Sequence, residues 1–186
     1  MDCEMGGREL KYSLLTAAFI VTTEDFNIQD RLYLEVKPED GDYIVSGQGM
    51  AINKIDLQAH DRNAWPYKMA KGTLYNFLKK YSANGVSTRL TPVGHGVKGD
   101  IAHLIKNLIS EGSWEQFCTY HYMDTSVVLQ YLRAIGKMPH DTDGSVQALA
   151  TYFGIHTPAI AKWHDAMFDA EMTMQVYKKM VELGKQ

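Results

Sequence analysis

The chain has few cysteines, no excess of basic residues and no long apolar run. Its two cysteines, Cys3 and Cys118, have no clustered partner and predict neither a disulfide framework nor a zinc site. We expect both thiols to be buried and reduced. No stretch is apolar for long enough to cross a bilayer, and candidate functional acids begin at residue 2, so we expect no signal peptide. An intracellular, cytoplasmic protein is expected.

The charge balance limits how the protein could bind nucleic acid. The 19 basic and 22 acidic residues give a formal net charge of −3. This argues against a protein that coats duplex nucleic acid through many phosphate contacts. It does not argue against an enzyme that holds one strand end through bound metal ions. The length of 186 residues, with 45% hydrophobic and 22% charged residues, predicts a single globular domain over residues 1–186.

An acidic pair stands at the start of the chain. Asp2 and Glu4 are separated by one residue, and in a β-strand such side chains point to the same face. Adjacent carboxylates repel each other unless a cation lies between them, and Mg²⁺ and Mn²⁺ prefer hard oxygen ligands. Gly6 and Gly7 follow, and they let the backbone approach a ligand closely. A solvated acidic terminus is the alternative interpretation of this segment alone.

The acidic pair has little strand in front of it. Only Met1 precedes Asp2, although an interior strand usually has about five residues. We therefore expect the first strand to be truncated at its N-terminal end, with upstream residues missing from this numbering.

Hydrophobic periodicity predicts three strands followed by alternating helices and strands. The first strand carries the acidic pair, residues 14–21 are rich in apolar side chains, and residues 31–36 alternate. These three strands are predicted to form an antiparallel meander. Two further strands are predicted at 90–95 and 118–123. Helices are predicted over 73–81, after Asp100, over 125–135, over 145–153 and from about 165. A linker is predicted from Asn84-Gly85. Asp56 and Asp124 are expected to cap helices. This order predicts an α/β fold with a mixed five-stranded central sheet, three antiparallel strands and then parallel βα units, with helices on both faces.

Two later segments supply further candidate ligands. Residues 94–100 read GHGVKGD and place Asp100 at the start of a helix, and residues 163–170 read WHDAMFDA and contain His164 and Asp169. Positions five apart on a helix differ by roughly 140° in direction, so His164 and Asp169 would not share a helix face. They can meet if His164 lies in the loop before the helix and Asp165 caps it. A histidine there is suited to accept a proton near neutral pH.

These segments resemble, in order and spacing, the motifs of the DEDDh (DnaQ-like) family of 3′→5′ exonucleases, which includes proofreading exonucleases and oligoribonucleases. The resemblance extends from Asp2 to about Tyr177. It implies a ribonuclease H-like fold, with the reaction carried by Asp2, Glu4, Asp100, Asp169 and His164. In this arrangement the four acids bind two divalent cations, Mg²⁺ or Mn²⁺, and His164 is the general base. The resemblance also implies contacts to the terminal nucleotide from Cys3, Met5, Gly6 and Asn53.

Phosphodiester hydrolysis gives a physical reason for this set of residues. The reaction needs a hydroxide in line with the leaving oxygen. It also needs the charge on the attacking and leaving oxygens to be stabilised. Two metal ions about 4 Å apart can generate the nucleophile and stabilise the leaving 3′-oxygen. Two dications need several carboxylates, which here are far apart in sequence and would be brought together by the fold.

The middle segment departs from the family pattern, which has histidine-asparagine and then an aromatic residue just before the acid. Here Gly96 follows His95, and Gly99 precedes Asp100. We expect a wider pocket floor and weaker contact to substrate, with metal binding less affected. Trp163 could compensate by stacking on a base, or it could pack in the core, which is favoured. The remaining histidines are expected at the surface: His60, His95, His103, His121, His140 and His156.

The leading hypothesis is a metal-dependent 3′→5′ exonuclease that releases nucleoside 5′-monophosphates from single-stranded DNA or RNA ends. Many relatives pair, which makes a homodimer a candidate. The alternative is a binding or adaptor module for nucleic-acid ends that has lost catalysis, because of Gly96 and Gly99. A third interpretation is a metal-dependent endonuclease of the same broad fold.

Overall fold

The strands form two small sheets that meet at the start of the chain. A computed structural model of the protein describes residues 1–82, 89–158 and 163–186. Strands β1 (Asp2–Met5), β2 (Leu14–Thr22) and β3 (Ile28–Glu35) form an antiparallel sheet in that order. Strands β4 (Val93–Gly94) and β5 (Met123–Asp124) form a parallel pair. The amine of Met1 donates to the carbonyl of Val93 at 2.7 Å and links the two sheets.

The predicted antiparallel meander is confirmed, but the described residues do not form one continuous five-stranded sheet. They form a three-stranded and a two-stranded sheet. The regions predicted as the last two strands, 90–95 and 118–123, pair through an isolated Leu90–Cys118 bridge and through β4 and β5. The predicted linker from Asn84-Gly85 lies outside the described residues.

Eight helices are described, and most of the longer ones match the predicted periodicity. Their bounds are α1 Gly47–Asn53, α2 Leu57–Asn63, α3 Tyr67–Tyr81, α4 Val97–Asn107, α5 Glu111–Phe117, α6 Thr125–Ala134, α7 Val146–Tyr152 and α8 Ala166–Gly184. Helices α1 and α5 are short elements that the periodicity did not separate from the neighbouring loops. No described helix is both long and apolar enough to pass through a membrane.

Three predicted aspartate caps are confirmed. The side chain of Asp56 accepts from the backbone of Gln58 and Ala59 at the start of α2. Asp124 caps α6, and Asp165 caps α8. These caps satisfy N–H groups that the first turn of a helix leaves without partners, so the three helices begin at defined residues.

Helices cover both faces of the three-stranded sheet. Cys3, Ala17 and Leu34 lie side by side on one face and join a core cluster with α3, α4 and α5. The opposite face carries Asp2 and Glu4, and α8 packs there. A second cluster joins α6, α7 and α8. The sheet therefore separates an apolar interior from a face on which acids and α8 meet.

Small side chains let α8 lie close to the sheet. Ala18 on β2 packs against Ala166 and Ala170 on α8, and all three are buried. Because alanine adds one carbon beyond the backbone, helix and strand can approach more closely than larger residues would allow. This approach carries the first turn of α8 to the acidic face of β1.

Two histidines contradict the expectation that the unassigned histidines lie at the surface. His60 is buried, and its Nε2 lies 3.2 Å from the carbonyl of Val36. His103 is also buried, with Nε2 3.4 Å from the carbonyl of Arg8. Each ring reaches a backbone carbonyl outside its own helix, and sequence periodicity does not reveal such a partner.

Candidate metal centre

The acidic pair lies on one face of β1. Asp2 is directly opposite Ala18 on β2, and Glu4 is opposite Thr16. Cys3, between them, points to the other face and is buried in the larger core. Strand alternation therefore places both carboxylates under the first turn of α8.

The first turn of α8 brings Asp169 and His164 together. Asp165 accepts hydrogen bonds from the backbone N–H groups of Met167 and Phe168, each at 3.1 Å, which fixes the start of the helix. His164 precedes this cap with φ of 70°, a left-handed conformation that turns the chain back. Its backbone N–H donates to Oδ2 of Asp169 at 3.0 Å. The helical-angle conflict is thus resolved as expected, because His164 is in the loop before the helix.

Glu4, His164 and Asp169 converge on one point. Each offers one ligand atom, and these atoms all lie within 4.8 Å of one another. His164 is exposed, whereas Glu4 and Asp169 are half-buried. The ring can therefore reach both the carboxylates and solvent.

Asp100 lies in the first turn of α4, and its charge acts on both Asp2 and Glu4. It is 6% exposed, and its Oδ2 has no hydrogen-bond partner. The helix start is held by the backbone N–H of Gly96, which donates to Oδ1 of Asp124 at 3.0 Å. Gly96 has φ of 70°, which favours glycine at this position. Asp124 thus acts as a structural link between α4 and α6.

Burial is the largest cause of a raised pKa at each of the four carboxylates. Burial, followed by the charges of Asp100, Glu4 and Asp169, raises the pKa of Asp2 well above its usual value. Burial, followed by the charges of Asp169 and Asp100, raises the pKa of Glu4 to about 8. Burial raises the pKa of Asp100 to about 7. For Asp169, burial raises the pKa to about 6, and the N–H of His164 opposes the rise. Without a cation the site therefore retains protons near neutral pH.

These observations fit divalent cations. Oxygen donors of Glu4 and Asp169 lie within 4.8 Å of each other, whereas Asp2 and Asp100 are outside that group. Buried Oδ2 of Asp100 and Oδ1 of Asp169 have no hydrogen-bond partner among the described residues. A positive charge between the carboxylates would favour their ionised forms and satisfy these oxygens. Asp2, Glu4, Asp100 and Asp169 are the residues that could hold such ions.

The predicted nucleotide contacts have mainly structural partners. The buried amide of Asn53 donates through Nδ2 to the carbonyl of Met5 at 3.0 Å, and its Oδ1 accepts from Ile55 N–H at 3.0 Å. Asn53 therefore ties α1 to the end of β1. The side chain of Cys3 is 6% exposed and faces the core. The nucleotide contact of Cys3 stays a prediction, and it would have to be made by the backbone.

Gly6 is required by close packing of the segment that precedes α1. A Cβ at Gly6 would lie 2.7 Å from the carbonyl oxygen of Ile44, and one at Gly49 would lie 2.4 Å from the carbonyl oxygen of Gly6. Ser46 donates to the same Gly6 carbonyl through its backbone N–H at 2.7 Å and its hydroxyl at 3.0 Å. No pattern in the sequence predicted this contact between Ser46 and Gly6.

The glycines of the middle segment leave open space. A Cβ added at Gly96 or Gly99 would meet no heavy atom within 4 Å. This agrees with the expected widening beside Asp100. Trp163 packs against the second core cluster, with its ring centroid 5.0 Å from that of Phe168, so its packing agrees with the favoured core interpretation.

Solved structures with a similar fold include exonucleases. The chain is similar to zinc-bound exonuclease I of E. coli in complex with single-stranded DNA, at a TM-score of 0.74 and 18% identity, over 99% of this chain and 41% of that one. It is similar to exonuclease I of Methylocaldum szegediense at a TM-score of 0.73 and 19% identity. That match covers 97% of this chain and 39% of the other. It is also similar to exonuclease X in complex with 5′-overhanging duplex DNA, at a TM-score of 0.64 and 16% identity. That match covers 100% of this chain and 91% of the exonuclease X chain.

The chain thus has the mixed α/β fold found in exonuclease I and exonuclease X. At these identities the likeness is one of fold, and the chain spans 41% of the length of the E. coli exonuclease I chain. Comparison with models of known protein families gave no match, and no curated protein matched the sequence.

Proposed function

We propose that the protein is a metal-dependent 3′→5′ exonuclease of the DEDDh type that hydrolyses single-stranded nucleic acid to nucleoside 5′-monophosphates. The observation that carries the proposal is the convergence of Glu4, Asp169 and His164 within 4.8 Å, on the face that Asp2 also occupies. The exonuclease fold supports it, because exonuclease I is recorded in complex with oligonucleotides. Substrates would be the 3′ ends of DNA or RNA.

Each residue has a proposed task. The carboxylates of Asp2, Glu4, Asp100 and Asp169 would hold two divalent cations, Mg²⁺ or Mn²⁺. When bound, the ions would lower the pKa of the attacking water and offset charge on the leaving 3′-oxygen. A ring nitrogen of the exposed His164 would accept the proton of that water. The hydrogen bond from His164 N–H to Asp169 would keep the base beside the carboxylates.

A ladder assay tests the direction and the metal requirement. A 5′-labelled single-stranded 20-mer of DNA or of RNA is incubated with Mg²⁺, Mn²⁺ or EDTA, and products are read for stepwise shortening. We expect a 3′→5′ ladder with metal and none with EDTA. A strand with a blocked 3′ end should resist shortening, and a circular single strand should stay intact. Cleavage of the circle would instead indicate an endonuclease.

Two carboxylate variants and a matched control locate the site. Asp2→Asn and Asp169→Asn should abolish shortening, because each removes a proposed metal ligand. Asp25→Asn, at an exposed position in the β2–β3 turn, should leave the rate unchanged. Undiminished activity in Asp2→Asn or Asp169→Asn would rule out the proposed site. Tight binding of oligonucleotide ends without turnover in Mn²⁺ would favour the binding-module alternative. Sedimentation of the same preparation checks the predicted homodimer.

A further inference from the structure

The turn after β1 carries a basic residue that the proposed reaction does not use. Strand β1 ends at Met5, two glycines follow, and Arg8 comes next. Arg8 is exposed, and no carboxylate of the described residues forms an ion pair with it. It lies four residues after Glu4, on a chain whose formal net charge is −3. Its surroundings indicate what this exposed cation can bind.

The backbone just ahead of Arg8 is held by the segment that forms α1. Asn53 donates through Nδ2 to the carbonyl of Met5 at 3.0 Å. The backbone N–H of Ser46 donates to the carbonyl of Gly6 at 2.7 Å. These bonds fix the end of β1 and the first residue beyond it. The side chain of Arg8 therefore extends from a backbone that is already held in place.

Helix α4 holds Arg8 itself. His103 on α4 is buried, and its Nε2 lies 3.4 Å from the carbonyl of Arg8, longer than a typical N–H···O bond. A carbonyl oxygen only accepts, so this nitrogen carries a proton. Burial lowers the pKa of His103, which favours a neutral ring with that single proton. Nδ1 is buried and has no partner among the described residues, so the described hydrogen bonding of the ring is its contact with Arg8.

His103 also relates Arg8 to the metal centre. His103 and Asp100 are three residues apart on α4, and side chains at that spacing are neighbours, with Cβ atoms about 5–6 Å apart. Strand β1 carries the other two nearby acids, Asp2 and Glu4. The backbone of Arg8 is thus joined to β1 through the chain and to α4 through His103. Arg8 lies beside the two elements that bring three of the four acids together.

A nucleic-acid strand needs a positive charge beside these carboxylates. Every nucleotide of the strand carries a negative phosphate, and the bound metal ions would offset the charge at the scissile phosphate. The next phosphate along the strand would still face the acids. A guanidinium group can donate two parallel N–H groups to phosphate oxygens, which the ammonium of lysine cannot do in the same planar geometry. An exposed, unpaired arginine is therefore suited to hold this second phosphate.

We propose that Arg8 binds the backbone phosphate next to the scissile one, and that His103 is a positioning residue that holds Arg8 for this contact. The inference rests on the exonuclease function proposed above, because it requires a nucleic-acid strand at the metal centre. Arg8 takes no part in bond breaking. Its loss should therefore weaken strand binding and leave the chemical step nearly unchanged.

Kinetics on a single-stranded dT 20-mer with Mg²⁺ test the contact. Arg8→Ala should raise KM about five- to tenfold and leave kcat within about twofold, because a charged contact to the strand is lost. Arg8→Lys keeps the charge without the planar fork, so KM should rise only about two- to threefold. Arg62→Ala, at an exposed arginine on α2, is the matched control and should change neither quantity.

The salt dependence of binding counts the phosphate contact directly. Affinity for the same 20-mer, labelled with fluorescein at its 5′ end, is measured by anisotropy with Ca²⁺, which also takes oxygen ligands. One lost phosphate contact on a single strand should make the slope of log affinity against log salt shallower by about 0.7. Arg8→Ala should show this change, whereas Arg8→Lys and Arg62→Ala should keep the parent slope.

Two variants of His103 test its positioning role. His103→Leu removes the donor to the Arg8 carbonyl and should raise KM about threefold. Arg8→Ala should then have a smaller effect in the His103→Leu background than in the parent, because both residues serve one contact. His103→Gln can keep an N–H donor and should restore the parent KM. Additive effects of the two substitutions would overturn the role of His103. Arg8→Ala is a surface change and tests the phosphate contact whether or not His103→Leu folds.

The two measurements separate this inference from the exonuclease proposal. Shortening of the 20-mer with equal KM and equal salt slope in the parent and Arg8→Ala would overturn the phosphate contact alone. A lower kcat at unchanged KM in Arg8→Ala would also overturn it, since the guanidinium would then act in the chemical step. Binding that depends on Arg8, without any shortening in Mg²⁺, would overturn the exonuclease proposal alone. A parent that neither binds nor shortens the strand would overturn both.

Discussion

At the scale of single residues, His164 and the carboxylates have different tasks in the proposed reaction. The carboxylates are half-buried or buried, and burial is the largest cause of their raised pKa values. His164 is exposed, in a left-handed loop conformation, and is joined to Asp169 through its backbone rather than its ring. Its ring therefore lies beside the carboxylates and is open to solvent. This distinction between holding metal and moving a proton can be tested by substitution.

His164→Ala should lower the exonuclease rate by about 10²–10⁴-fold, because a positioned base contributes that much. Mn²⁺ affinity, measured by calorimetry, should stay within about threefold of the parent, since four carboxylates remain. His156→Ala, at another exposed histidine, serves as the control and should alter neither quantity. A large loss of Mn²⁺ affinity in His164→Ala would assign the ring to the metal instead of the proton.

Glu4→Gln should stabilise the metal-free protein at pH 8 while removing activity. The pKa of Glu4 is raised to about 8, so ionising it in the fold costs free energy that a neutral amide avoids. The expected rise in Tm is roughly 3–8 °C for a domain of this size. Glu39→Gln, at an exposed glutamate, should leave Tm within about 1 °C. A fall in Tm for Glu4→Gln would show that the carboxylate is not strained by its neighbours.

At the scale of elements, the start of α8 determines the site. Asp165 caps the helix, Asp169 lies in its first turn, and the left-handed residue before the cap is His164. Ala18, Ala166 and Ala170 let this end of the helix approach β1. Loss of the cap should therefore affect both stability and catalysis.

Asp165→Ala should lower the free energy of unfolding by about 1 kcal/mol, the usual value of a lost N-cap. It should also reduce the rate, because the loop that carries His164 loses its anchor. Asp165→Asn keeps an oxygen that can accept from the Met167 and Phe168 N–H groups. It should therefore retain most of the parent's free energy of unfolding and most of its rate. Chemical denaturation and the ladder assay measure the two effects. If Asp165→Asn behaved like Asp165→Ala, charge rather than capping would explain the role of Asp165.

At the scale of the whole molecule, the convergence of acids makes stability depend on pH and metal. In the fold, Glu4, Asp100 and Asp169 hold protons with pKa values of about 8, 7 and 6. In the unfolded chain the same groups lose protons near pH 4. Unfolding therefore releases protons between these limits, and rising pH favours the unfolded chain. The stabilising effect of these protons is complete below about pH 4 and is lost as pH rises through 8.

The Tm of the metal-free protein should accordingly fall between pH 5 and pH 8 through these groups. Mn²⁺ should oppose the fall by replacing protons, with a gain of about 2.7 kcal/mol at a hundredfold excess over its Kd. Thermal unfolding with EDTA and with Mn²⁺ at each pH measures both. A double variant, Glu4→Gln with Asp169→Asn, should show a flatter pH profile and little response to Mn²⁺. A parent profile that rises from pH 5 to pH 8 without metal would contradict this account.

The sequence by itself determined the local features. Strand alternation placed Asp2 and Glu4 on one face, helical periodicity located α3, α4, α6 and α8, and cap chemistry predicted Asp56, Asp124 and Asp165. These succeed because period and capping depend on neighbouring residues. The same periodicity overestimated the strands at 90–95 and 118–123, since pairing needs a partner at the right distance.

Only the tertiary structure decided what meets across the fold. It brought Glu4, His164 and Asp169 within 4.8 Å, paired Asn53 with Met5, and buried His60 and His103. These features depend on how closely helices and strands far apart in sequence can pack, as the alanines between α8 and β2 show. The sequence names the reactive groups, and the packing of whole elements sets their distances.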